Sequence, residues 1–150
     1  MKVSKQEILQ ECIRLIDGKL QQIQNAIQDY QEDLNSETKS SAGDKHETGR
    51  AMLQLEMEKL GQQYQTVLTQ KNVLQKIDVS VKKKAQVGSL VGTTSGLNYF
   101  LATSVGQIVV AEKSIMVVSI NSPIGKLILG KQKGAIFVFN SKENEISFVM

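Results

Sequence analysis

The sequence predicts an α+β protein: an N-terminal antiparallel coiled-coil helical hairpin, then a small, mostly antiparallel β domain with one short helix. Three observations carry this. Apolar residues in the first half recur at alternating spacings of three and four. A polar break centred on Gly43 interrupts them. After Lys82-Lys83-Lys84 the helical period gives way to short β-branched runs.

In the first helix the stripe runs Ile8, Cys12, Leu15, then Ile16, Leu20, Ile23, Ile27, Tyr30 and Leu34, with one step of phase between Leu15 and Ile16. This is a coiled-coil seam, expected over Lys5 to Thr38 and about 50 Å long at 1.5 Å per residue. Ser36 to Glu47 is small and polar and reads as the turn. The stripe resumes at Leu53, Met57, Leu60, Tyr64 and Val67, skips a position at Lys71, and returns at Leu74. Each stripe is too narrow for a thick core, so each helix is expected to cover the other. Pairing with a second copy is the alternative, and the short polar turn favours the hairpin in a monomer.

Strands are expected over residues 87–91, 99–102, 107–110, 115–120, 136–139 and 146–149, punctuated by Gly and Asn. Ser122 to Leu129 differs. Ser122 can cap, Pro123 suits a first helical position, Ile124, Leu127 and Ile128 share a face, and Gly130 can end the turn. The expected division is 1–79 for the coiled coil and 80–150 for the β domain.

Composition narrows the function classes. Of 150 residues, 41% are hydrophobic and 22% charged, an ordinary soluble balance. No apolar run is long enough for a membrane helix, the N-terminus has no secretion-signal core, and the lone Cys12 has no internal disulfide partner; a cytoplasmic protein is expected. Residues 1–79 hold ten Lys/Arg against twelve Asp/Glu, whereas 80–150 hold eight Lys against three Glu. That asymmetry fits two modules, the second offering a modest basic surface to an anionic partner.

No catalytic motif appears. There is one histidine, His46, and no phosphate loop; Gly88, Gly92, Gly96 and Gly106 read as turn or bulge glycines. Asp44 and Glu47, three apart at the tip, are the candidates for chemistry. They can be a helix N-cap and its capping-box partner. The functional alternative is two hard oxygen ligands at the end of a rod, completing a Mg²⁺ site that another molecule holds in part.

The segment Ser119-Ile120-Asn121-Ser122-Pro123-Ile124-Gly125-Lys126-Leu127-Ile128-Leu129-Gly130-Lys131-Gln132-Lys133-Gly134, with the apolar strand after it, resembles the C-terminal signature of the Gre transcription elongation (transcript cleavage) factors, GreA and GreB. Val87 to Val91 is similar to the opening of that domain, and Gly43-Asp44-Lys45-His46-Glu47 to the Gre tip G-D-x-x-E. The resemblance implies an FKBP-like C-terminal domain that binds RNA polymerase, with Ser122, Pro123, Ile124 and Gly125 as contacts. It also implies a coiled coil entering the secondary channel. Asp44 and Glu47 would help hold a Mg²⁺ shared with the polymerase active site, Arg50 would meet the transcript or balance Glu47, and the polymerase itself would cleave backtracked RNA. The factor would not be the enzyme and would own no cofactor.

The tip departs from the family pattern at Lys45 and His46, and at Thr48-Gly49-Arg50-Ala51-Met52. A secondary-channel regulator that binds polymerase without stimulating cleavage is therefore the alternative. Prolyl isomerase activity would need an aromatic-lined cleft, and of Tyr99, Phe100, Phe137, Phe139 and Phe148 most fit strand cores instead. A coiled-coil adaptor with no polymerase role is the remaining reading.

Overall fold

The computed structural model describes the backbone of residues 3–38 and 43–150, and the side chains of 3–36 and 47–150. Two long helices come first, α1 (Lys5–Thr38) and α2 (Gly43–Gln75). Six strands and a short helix follow: β1 (Leu90–Thr93), β2 (Asn98–Ala102), β3 (Gly106–Val110), β4 (Lys113–Ser119), α3 (Pro123–Ile128), β5 (Ile136–Phe139) and β6 (Lys142–Val149). The fold is α+β, as the two periodicities predict.

The chain forms two compact units. One comprises residues 16–69; the other joins 1–15 to 70–150. In the first, α1 and α2 run antiparallel. Residues 19, 22 and 23 share a groove with 59–67, and residues 30, 33 and 36 share one with 49–56. The Gln24 side-chain amide donates to the Tyr64 hydroxyl across the pair at 3.1 Å. Ile23, Ile27, Tyr30, Leu34, Leu53, Met57, Leu60, Tyr64 and Val67 are half-buried, the burial expected when each helix has one neighbour.

In the second unit the sheet order is β3-β4-β2-β1-β6-β5. Four strand pairs are antiparallel, and one, β2 with β4, is parallel. The parallel pair arises because β4 doubles back on β3 and then inserts between β3 and β2. Two hairpins close on two-residue turns, Ala111-Glu112 and Asn140-Ser141. All four residues have positive φ, the type I′ geometry that matches strand twist. On one sheet face Val91, Tyr99, Leu101, Phe137 and Ile146 pack with Ile124 and Ile128 of α3. β1 is buried at all four positions, so the sheet is covered on both faces there. Ile8, Leu9, Cys12 and Leu74, at the ends of the long helices, are also buried.

Candidate functional site

α2 begins at Gly43, so Asp44 and Glu47 both fall near its start, three positions apart on the helix. Asp44 thus lies inside the helix and not at the capping position before it. Its side chain, with those of Lys45 and His46, is outside the described residues. Glu47 is exposed and Arg50 half-buried. Exposure leaves the Glu47 carboxylate able to meet a partner. Among the described residues no group of three or more His, Cys, Asp or Glu side chains could hold a metal ion. What the tip can supply is one or two carboxylate oxygens to a cation that is otherwise ligated elsewhere.

The Ser122–Gly125 segment is built as a helix start. Ser122 is the N-cap of α3, and Pro123 opens the helix, where its missing N–H costs nothing. The Ser122 hydroxyl donates to the Ser119 carbonyl at 2.6 Å and accepts from the Gly125 N–H at 3.0 Å. Ile124 and Gly125 are buried. A Cβ at Gly125 would collide with the Ser119 carbonyl, so only glycine fits. Pro123 alone of the four is exposed, while Ser122 lines an open depression of about 330 Å³ with Ser104, Gly106, Val117 and Ser119.

One feature was not legible as a site in the sequence: Lys5. It lies in the polar stretch Ser4-Lys5-Gln6-Glu7 at the start of α1, yet is only 6% exposed. Its ammonium donates to the Ser80 carbonyl at 2.7 Å and the Gly88 carbonyl at 3.0 Å. Burial, and secondarily the positive charge of Lys82, pull its pKa below the usual lysine value, while Asp78 opposes them. Asp78 in turn accepts from Lys82 at 2.8 Å and from the Ser80 N–H at 2.9 Å. Gly88 has φ +94°, and a Cβ there would strike the Asp78 carbonyl. This network ties the start of α1 to the chain leaving α2. The sequence around it, Ser4-Lys5-Gln6-Glu7, is polar and carried no signal of this burial.

Tyr99, Phe100 and Phe137 are buried in the sheet. No helix among the described residues is long and apolar enough to cross a membrane.

The fold and tip define a class: an α+β protein in which a long antiparallel helical hairpin is joined to a six-stranded mixed sheet. No protein-family profile and no curated protein matches the chain. Among solved structures, one described as that of the transcription factor Gfh1 is similar, at 17% identity over 91% of this chain and 92% of that chain, with a TM-score of 0.36. A superposition this loose says nothing about activity, which has to be argued from the chain's own residues.

Proposed function

We propose that this protein is a Gre-type transcription elongation factor, a cytoplasmic accessory protein that binds RNA polymerase through its secondary channel and stimulates cleavage of backtracked transcripts. The observation that carries this reading is the position of Asp44 and Glu47 at the start of α2, the second of two helices of more than 30 residues each. Each helix is about 50 Å long at 1.5 Å per residue, enough to carry a tip far down a channel. There the two carboxylates add oxygen ligands to a Mg²⁺ shared with the polymerase, which performs the metal-assisted hydrolysis. Arg50, three positions beyond Glu47, would meet transcript phosphate or balance Glu47 on the helix.

The resemblance of residues 119–134 to the Gre signature supports polymerase as the partner. Of Ser122, Pro123, Ile124 and Gly125, the exposed Pro123 and half-buried Ser122 are available for contact, and the buried Ile124 and Gly125 act by holding α3 in place.

The test is a stalled, backtracked polymerase complex with end-labelled RNA, incubated with Mg²⁺ and this protein. Shortened RNA is expected with the native chain, and at least a tenfold slower reaction with Asp44→Ala/Glu47→Ala, a loss of about 1.4 kcal/mol or more in barrier lowering. Polymerase binding should persist in the variant. If the native protein binds polymerase but yields no shortened RNA, the cleavage reading fails. The regulator reading then takes its place, which Lys45 between the two carboxylates and Gly49 in the following turn favour.

A further inference from the structure

Two lysine segments far apart in sequence are brought side by side in the sheet unit. The Ala85 N–H donates to the Lys131 carbonyl at 2.8 Å, and the Gly130 N–H donates to the Ala85 carbonyl at 2.7 Å. Lys83 and Lys84 therefore run beside Lys131 and Lys133, and all four are exposed. Lys83 and Lys133 line one open depression of about 270 Å³ together with Gln132, Phe148 and Val149. No acidic side chain lines it, and no salt bridge among the described residues involves any of the four lysines. Lys82 is different, because Asp78 neutralises it at 2.8 Å. The Phe148 ring is half-buried and rests on Gly92, where a Cβ would overlap it. The missing side chain at Gly92 leaves room for the ring beside the depression.

We infer that this face is a binding surface for single-stranded RNA. Lysines without arginines present compact charges suited to phosphates read without sequence preference. The half-buried Phe148 ring among them offers a stacking surface that unpaired bases can use and a duplex cannot. The Gln132 amide can both donate to and accept from a ribose 2′-hydroxyl. This surface is independent of the hairpin tip and needs no polymerase to operate.

The test is fluorescence anisotropy of a labelled oligouridylate of about 12 nucleotides, titrated with the full-length protein between roughly 50 and 200 mM salt. Four phosphate contacts predict a log–log salt slope of about −3. Lys83→Gln/Lys133→Gln should flatten the slope by about 1.4 and weaken binding roughly twentyfold near 0.1 M salt, at two contacts' worth of counterion release. Lys19→Gln/Lys59→Gln, the same charge change on the helical hairpin, should leave binding unchanged. Absence of binding at the lowest salt, or equal loss from both double variants, would overturn the inference. So would a duplex DNA of the same length that competes as well as unlabelled single-stranded RNA.

Discussion

Two single residues show how closely chemistry depends on surroundings. Cys12 is fully buried, and burial, aided by the nearby Glu11 carboxylate, pushes its thiol up to about 12 from 9.0. The thiolate is the nucleophile, so the native thiol should resist alkylation at neutral pH and react completely once the chain is unfolded in denaturant. Timed iodoacetamide labelling with mass detection checks this. A raised folded-state pKa also means that the folded chain holds this proton longer than the unfolded one. The resulting contribution to stability is complete below pH 9 and is lost as pH rises towards 12. Gly125 is the other case. Its Cβ-less backbone lies against the Ser119 carbonyl, and Gly125→Ala should destabilise the sheet unit by about 2–3 kcal/mol, read as a lower denaturant midpoint at unchanged slope. Cys12 was readable from its place in the stripe. Gly125 was not, because nothing local to residue 125 announces that residue 119 will press against it.

At the scale of elements, legibility depended on whether the determining contacts are local. α1 spans the residues its spacing predicts, since a 3-4 stripe with polar flanks repeats on every turn. The first strand begins at Leu90 and not at residue 87, because Gly88 adopts positive φ and turns the chain first. β6 begins at Lys142, four residues before its apolar run. Lys142 to Glu145 are polar, yet they pair residue for residue with Ile136 to Phe139 once the Asn140-Ser141 turn has set the register. The parallel pairing of β2 with β4 had no local signature at all.

The other hairpin turn, Ala111-Glu112, uses residues poorly suited to positive φ, at 50° and 64°. Left-handed backbone costs an L residue with a Cβ roughly 1–2 kcal/mol, a clash glycine lacks and asparagine partly offsets by local side-chain hydrogen bonding. Ala111→Asn/Glu112→Gly should therefore stabilise the sheet unit by about 1 kcal/mol or more, visible as a raised thermal midpoint.

For the whole molecule, the sequence signalled two modules through its change of period and its change of charge. The compact units fall differently along the chain, with residues 1–15 belonging beside 70–150. The reason is energetic. The buried Lys5 ammonium needs acceptors, and it finds two in the carbonyls of residues 80 and 88, which no helical pattern can reveal. The candidate site divides in the same way. The Asp44/Glu47 pair was legible as a spacing, whereas the meeting of Lys83 with Lys133 depends on a backbone pairing between residues 85 and 130–131.

The placement of β6 bears on how the chain is made. A ribosome delivers the residues in order, and β6 emerges after every other strand, yet it occupies an interior position between β1 and β5. The helical hairpin can close as soon as residue 69 is clear, since its pairing is local. The sheet cannot be completed then, because β1 has no partner on one side until the final strand appears. Meanwhile Ile8, Leu9 and Cys12, synthesised first, wait for a core assembled last. Nascent chains should thus carry a finished helical hairpin and an unfinished, sticky sheet unit, and it is the sheet unit that a cell's chaperones would need to shield.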